Sequence, residues 1–198
     1  MRFQCQAESR WIRHIMGMIL LVAGWPVAMA QTLDINLSDD TAQFKYITPV
    51  GFQNRLGGTE LELGFLSTTT DDVMAIAGFQ AVDEAGSGSP GLKVGVGVKG
   101  FAGTINSNDV YAVTLGAEGR FAPPALNRFG IYGSVHFAPD VVTFGDTERL
   151  VYINVRLEYE ILSQATAYLG YRKIRADLTG GEDVSIDNGA HIGLQFLF

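Results

Sequence analysis

Beyond residue 30 the chain alternates apolar and polar or small side chains with a period of two, over almost its whole length. Leu92, Val94, Val96 and Val98 interleave with Lys93, Gly95, Gly97 and Lys99. Tyr111, Val113, Leu115, Ala117 and Phe121 interleave with Ala112, Thr114, Gly116, Glu118 and Arg120. Val151, Ile153, Val155, Leu157, Tyr159 and Ile161 interleave with Tyr152, Asn154, Arg156, Glu158 and Glu160. Successive side chains of a strand point to opposite faces, so each segment has one apolar face and one charged or small face. Ten such segments are expected, near 33–38, 41–47, 59–67, 72–82, 91–101, 109–121, 129–138, 149–161, 164–174 and 189–198. The fourth alternates least, and the first two are short and joined only by Asp39-Asp40. Turn-forming stretches such as Gly86-Ser87-Gly88-Ser89-Pro90 and Thr179-Gly180-Gly181-Glu182-Asp183 separate most of the others. Helical periodicity is nearly absent, no run reaches 18 apolar residues, and no polar linker divides the chain, so residues 31–198 read as one all-β domain.

Residues 1–30 are of another kind. Arg2, Arg10 and Arg13 precede an uncharged run from Ile15, and Ala28-Met29-Ala30 follows it. A basic flank, a short apolar stretch and an A-x-A ending make a secretory signal peptide, with cleavage expected before Gln31. The removed segment holds three of the 14 basic residues, one of the 21 acidic residues and Cys5, the only cysteine. The mature chain of 168 residues thus has 11 bases, 20 acids, a charge of −9 and no cysteine. That excludes a disulfide staple and a cysteine metal site, and the acidic balance excludes a generally basic nucleic-acid binder.

Two architectures use many alternating antiparallel strands. A soluble sandwich or lipocalin-like barrel turns its apolar face inward; a membrane barrel turns it toward lipid. Segments of about 10–13 residues suit a tilted span of an outer membrane. Aromatics near segment ends on the apolar face (Tyr111 and Phe121, Phe129 and Phe137) suit its two interfacial girdles. The expected fold is therefore a transmembrane up-and-down antiparallel β-barrel of about ten strands, with eight possible.

The C-terminus supports the same choice. Ala190, Ile192, Leu194, Phe196 and Phe198 form one apolar face that ends on the last residue. His191, Gly193, Phe196 and Phe198 resemble the terminal signal of Gram-negative outer-membrane barrels, which implies recognition by the barrel-assembly machinery through edge pairing. A last strand descending to the periplasm puts loops near 39–40, 68–71, 102–108, 139–148 and 175–188 outside. Connections near 48–58, 83–90, 122–128 and 162–163 then face the periplasm.

This topology sorts the charges. Asp34, Glu60, Glu62, Glu118, Glu158 and Glu160 face the lumen with Lys45, Lys93, Lys99, Arg120, Arg156 and Arg172, and cancel. Periplasmic Arg55 and Arg128 offset Asp83 and Glu84. Twelve acids (Asp39, Asp40, Asp71, Asp72, Asp109, Asp140, Asp146, Glu148, Asp177, Glu182, Asp183, Asp187) against Arg149, Lys173 and Arg175 place the whole −9 on the outer face. So narrow a lumen is either a charge-paired plug, with Lys93, Lys99, Glu118, Arg120, Arg156, Glu158 and Arg172 as the network, or a thin wet path beside Gly95, Gly97, Ala112, Gly116, Gly130 and Gly170. The acidic outer face either concentrates cations, with divalent bridges to lipopolysaccharide, or is solvated loop surface. Lys173 and Arg175 share outward parity at the outer rim, where lipopolysaccharide phosphates lie, and are the candidate lipid contacts.

Catalytic chemistry is sparse. Ser134 and His136 share the lumen face of one strand near Tyr132; they would need an orienting carboxylate and substrate access to act as an outer-membrane lipid hydrolase. His136 and His191 lack a third ligand for a metal, and the Gly-x-Gly around Gly95 and Gly97 opens no helix for a phosphate loop. No cofactor or metal is expected.

Three stretches occur in order: Ile131-Tyr132-Gly133 running on to Phe137-Ala138-Pro139-Asp140, then Leu169-Gly170-Tyr171-Arg172-Lys173-Ile174, then the terminal strand from Gly189. Together they resemble the YfaZ family of small outer-membrane proteins. The resemblance implies an outer-membrane barrel, sometimes described as porin-like, and carries over no catalytic or binding residue. The expected role is a non-catalytic outer-membrane barrel in contact with lipid and lipopolysaccharide, either a narrow pore or a charge-plugged structural barrel. Its alternatives are a lipid-modifying enzyme at Ser134 and His136, or a surface-binding barrel acting through its acidic loops.

Overall fold

The computed structural model describes residues 31–51, 58–70, 72–85, 91–105, 108–126, 128–179 and 183–198. The expected signal peptide with its cleavage point and Cys5, the 86–90 turn, and Arg55, Asp71 and Glu182 lie outside the described residues. The strands are β1 (Thr32–Ser38), β2 (Thr41–Pro49), β3 (Gly58–Thr68), β4 (Val73–Glu84), β5 (Leu92–Ile105), β6 (Asn108–Phe121), β7 (Phe129–Ala138), β8 (Thr143–Gly145), β9 (Thr147–Leu162), β10 (Ala165–Leu178) and β11 (Asp183–Leu197). β8 is a short ribbon that pairs with Val110–Ala112 of β6, above the end of β7. The other ten close into a barrel in which every ladder is antiparallel. The seam pairs the first strand with the last, from Thr32 opposite Leu197 to Ser38 opposite His191. The count is ten strands, which removes the eight-strand alternative.

Both described termini lie at one end of the barrel, where the Gln31 and Phe198 backbones exchange hydrogen bonds of 2.8 and 3.0 Å. Around the barrel wall the outward residues make an apolar belt. Val155, Leu157, Leu169, Ile192 and Leu194 are each 41–62% exposed, which fixes them on the outside. Aromatics edge the belt on both sides, with Phe129 against Tyr159 (centroids 4.9 Å apart) toward the termini and Phe44 stacked on Phe65 (5.8 Å) toward the far end. An apolar exterior over a charged interior is the pattern of a membrane-spanning barrel.

The pattern reverses beyond the belt at the far end. There Leu66, Met74, Ile76, Phe101, Ile105, Val110, Leu150, Ile174, Leu178, Val184 and Ile186 point inward and pack into one buried cluster. The outward positions above the belt are polar, as with Lys173, Arg175 and Asp177 on β10. The sequence places apolar side chains toward lipid throughout, and here that expectation fails. Once a strand leaves hydrocarbon for water, the favourable side for apolar groups switches from outside to inside.

The same switch corrects the loop assignments. β5 continues to Ile105, β10 to Leu178, and β11 starts at Asp183, so much of 102–108 and 175–188 is strand. The 139–148 segment holds a 3-10 turn (Asp140–Val142), β8 and the start of β9. In β11 the register with β10 shifts between Ile174 and Arg175, and Ile186 and Asp187 are both buried. Asp187 therefore faces the lumen instead of an outer loop.

A charge on the lipid face near mid-belt has no partner and little water. Leu157→Arg is expected to cost about 2–4 kcal/mol of folding free energy in lipid vesicles, read by denaturant titration. Ser185→Arg, exposed above the belt, is expected to stay within about 0.5 kcal/mol. Equal costs at the two positions would contradict the position of the belt.

Candidate functional site

The lumen is built in three layers from the inward residues of every second position. The first layer centres on Arg156, which β9 projects inward between two tyrosines from neighbouring strands. Its guanidinium carbon lies 4.1 Å from the Tyr132 ring centroid and 4.7 Å from that of Tyr168. Arg156 Nη1 donates to Asp34 Oδ2 at 3.0 Å and its Nε to Glu158 Oε1 at 2.7 Å. Glu158 also accepts from Arg120 Nε. Asp34, fully buried, accepts from the Tyr168 hydroxyl and from Gln195 Nε2 (2.9 Å), with Lys45 Nζ at 3.8 Å. Lys99 Nζ donates to Glu62 Oε2 at 2.8 Å. Burying charge is tolerable only when partners replace water, and each of these groups has at least one.

A second network lies nearer the far end around Arg172, which is 0% exposed. Arg172 Nε donates to Asp187, Nη1 to Asn36 Oδ1 (2.9 Å) and to Gln43 Oε1, and Nη2 to Thr41 Oγ1 (2.8 Å). Thr41 Oγ1 in turn donates to Asp187 Oδ2 at 3.2 Å. This network ties β1, β2, β10 and β11 together across the seam of the barrel. Above it sits the apolar cluster, which forms the third layer.

Toward the termini the lumen opens into a cavity of about 550 Å3. Glu60, Lys93, Glu118 and Glu160 line it beside Gln80, Tyr132 and Gln195. Gln80 Nε2 donates to Glu60 Oε2 at 3.0 Å, and the Tyr132 hydroxyl donates to Glu118 Oε2 at 2.8 Å.

The seven network residues named from sequence thus divide. Arg120, Arg156 and Glu158 meet; Lys99 pairs with Glu62; Arg172 stands in its own network; Glu118 and Lys93 line the cavity. Adding Asp187 gives the lumen seven acids against six bases, so its charge is −1 and that of the outer loops and rims falls from −9 to −8. Asp187 was missed because the 175–188 stretch reads as a loop, although it shares the parity of inward-facing His191; the register shift beside it brings Ile186 inward as well. Parity arguments also passed over Tyr168, Asn36, Gln43 and Thr41, whose only signal is polarity on an inward position.

Two of the small lumen residues lie directly against imidazoles. A Cβ at Gly116 would fall 2.2 Å from His136 Nδ1, and one at Gly170 2.6 Å from His191 Nε2. Imidazoles fill those gaps. A Cβ at Gly193 would fall 2.3 Å from the Tyr168 ring, so Gly193 makes room for the tyrosine that reaches Asp34. His191 and Gly193 therefore face inward, while Phe196 and Phe198 face out. Lys173 faces outward just beyond Tyr171; Arg175 binds Asp177 at 3.0 Å and also Asp183.

Ser134 and His136 lie on the lumen face and are 6% and 2% exposed. Among the described residues neither Ser134 Oγ nor either His136 nitrogen has a hydrogen-bond partner. A serine nucleophile needs a contacting base and an orienting carboxylate, and this pair shows neither contact. His136 meets the edge of Tyr152 instead, at 6.0 Å between centroids. No cluster of His, Cys, Asp and Glu suited to one metal ion is found among the described residues.

The fold and its lumen define a transmembrane antiparallel β-barrel. The model of the YfaZ precursor family matches residues 16–198, and the chain belongs to that family. No curated protein matches it. Among solved structures, one from work on in-meso crystallization of membrane proteins is similar with a TM-score of 0.50 and 11% identity, covering 86% of this chain and 83% of that one. The KdgM porin is similar at 0.45 and 13%, with 85% and 99% covered, and the NanC porin at 0.43 and 10%, with 85% and 99% covered. At these identities the likeness concerns fold alone.

Two substitutions test the lumen. Asp187→Ala leaves the buried Arg172 without its anion and is expected to cost about 3–5 kcal/mol, measured by folding into vesicles. Ser134→Ala removes a buried hydroxyl without a partner and is expected to be neutral or stabilising by about 1 kcal/mol. A loss of more than that at Ser134 would reveal a role that its surroundings do not show.

Proposed function

We propose that this chain is a non-catalytic outer-membrane barrel whose lumen is closed, with the termini end in the periplasm. The observation that carries the reading is the complete burial of Arg172 and its partners beneath a packed apolar cluster. Solute has no route past that layer without moving both a buried ion network and a hydrophobic cap. The sequence left plug and pore open; the plug is favoured, though made of two materials, paired charge at mid-depth and apolar side chains at the far end.

The signal-peptide pattern of residues 1–30, the apolar belt and the outward Phe196 and Phe198 support export followed by insertion through the barrel-assembly machinery. Lys173 supports a contact with lipopolysaccharide phosphate. It lies just past the belt, and no carboxylate falls within 4 Å of it among the described residues. Arg175 is the weaker candidate, its guanidinium being committed to Asp177 and Asp183.

The deciding measurement is conductance of the folded protein in a planar bilayer. Folding is verified first by the heat-dependent gel shift of a closed barrel. A silent bilayer is expected. Discrete, reproducible steps from correctly folded protein would overturn the closed reading and make the narrow pore the function.

A further inference from the structure

The ladder at the seam covers only part of the last strand. β1 pairs with β11 from Thr32 opposite Leu197 to Ser38 opposite His191, and the β1–β2 hairpin then turns at Asp39-Asp40. β11 runs on to Asp183, paired there with β10 alone. Residues 183–190 thus keep one edge without a strand partner, over about 26 Å at about 3.3 Å per residue. The other end of the seam shows which groups that edge presents. Phe198 exchanges both backbone bonds with Gln31 on the β1 side, whereas the Leu197 N–H turns to Gln164 on the β10 side. With a period of two, Asn188 and Ala190 turn their N–H and C=O toward the gap above Asp39-Asp40. Among the described residues no backbone group meets them there. The gap has room, since a Cβ placed on Gly189 would meet nothing within 4 Å. Ser185, Asn188 and Ala190 are exposed, and Asn188 lies opposite Lys173, just past the apolar belt.

We propose that this edge is a docking site for an extended, basic segment of another polypeptide, added to the barrel as an extra strand. An unpaired strand edge is a row of backbone donors and acceptors, which an incoming chain completes by β-augmentation. The charges around the gap select among such chains. Asp39 and Asp40 at its floor are exposed and have no basic nitrogen within 4 Å among the described residues. Two bases on its flank are committed, Arg172 to Asp187 and Arg175 to Asp177 and Asp183. Lys173 stands one strand further back, on β10. The outer loops and rims as a whole sum to −8. Like charge therefore opposes pairing of this edge with the same edge of a second copy, and it attracts a basic segment. An added strand lies in line with β1, with its near end beside Asp39 and Asp40. The proposal uses the closed-barrel reading only for the side of the membrane that the edge faces.

The probe is a fluorescent peptide of alternating lysine and valine, titrated by anisotropy into the mature protein folded in micelles of a non-ionic detergent. Saturable binding at one site per chain is expected, and a glutamate–valine counterpart is expected to bind about tenfold more weakly or worse. Hydrogen exchange followed by NMR is expected to slow at the Asn188 and Ala190 amides when the lysine peptide is bound. Asn188→Pro removes an N–H that faces the gap and spares the ladder to β10, and is expected to raise Kd about tenfold. Asp39→Asn combined with Asp40→Asn is expected to raise it about threefold. Absence of saturable binding would overturn the proposal. So would binding that leaves both amides exchanging as before, because charge alone would then hold the peptide. A dimer of the protein without peptide that Asn188→Pro abolishes would overturn it in favour of a second copy at the edge. The heat-dependent gel shift verifies the barrel in each variant, and exchange in the unaltered chain decides the matter even where Asn188→Pro fails to fold.

Discussion

A backbone that crosses hydrocarbon must satisfy every N–H and C=O from within the protein, and for strands only a closed ring achieves this. In this chain the ring closes at ten strands through the β1–β11 ladder. Closure at that number leaves an interior little wider than its own side chains. The alternation along each strand gives its apolar half to the lipid and its polar half to the interior. The lumen therefore inherits the charged half, in a space too narrow to hydrate it fully. Pairing of Arg156 with Asp34 and Glu158, and of Arg172 with Asp187, answers a constraint set by the wall.

The reversal at the far end shows the same sheet in two solvents. Along β10, Leu169 and Tyr171 face lipid and Arg172 faces the lumen; four residues later Arg175 faces out and Ala176 is buried. No break in the strand separates the two regimes. What changes is the medium outside, and with it the side on which burying an apolar group lowers free energy. The apolar cluster from Leu66 to Ile186 is the small core of a water-exposed cap standing on a membrane barrel.

That continuity also explains what was legible in the sequence. Strand number, direction and inward parity follow from a period of two, which survives any change of solvent, and the lumen residues Arg156, Glu158 and Arg120 could be placed with it. The ends of the strands could not. Lys173-Ile174-Arg175-Ala176-Asp177-Leu178 alternates as cleanly as a membrane span, but its polar members suggest a loop unless the edge of the lipid is known. Asp187 was lost for the same reason: it shares the parity of inward His191, but it falls in a stretch that reads as a loop; what no pattern marks is the register shift beside it, which brings Ile186 and Val184 inward too. The partners of Arg172 are beyond pattern altogether, since Asn36 and Gln43 lie 136 and 129 residues away along the chain. Such contacts arise from closure of the seam, which periodicity does not encode.

An interior of paired charges raises the question of why it is not simply apolar, since buried ion pairs are often no more stabilising than hydrophobic packing. The two faces of the wall supply an answer. A one-residue slip of any strand exchanges its faces. For β9 it would turn Arg156, Glu158 and Glu160 toward lipid. A basic side chain there costs about 2–4 kcal/mol, an acid somewhat less, and the ion pairs would be lost as well. With apolar residues on both faces the slipped register would cost little. The charged lumen thus penalises wrong registers more than it stabilises the right one. The cap does not need that device. Water outside already makes a slip expensive by exposing Ile174, Leu178 and Val184, so an apolar filling suffices there. The boundary between the two fillings falls where the outer solvent changes, which is the position that register control by the lumen charges requires.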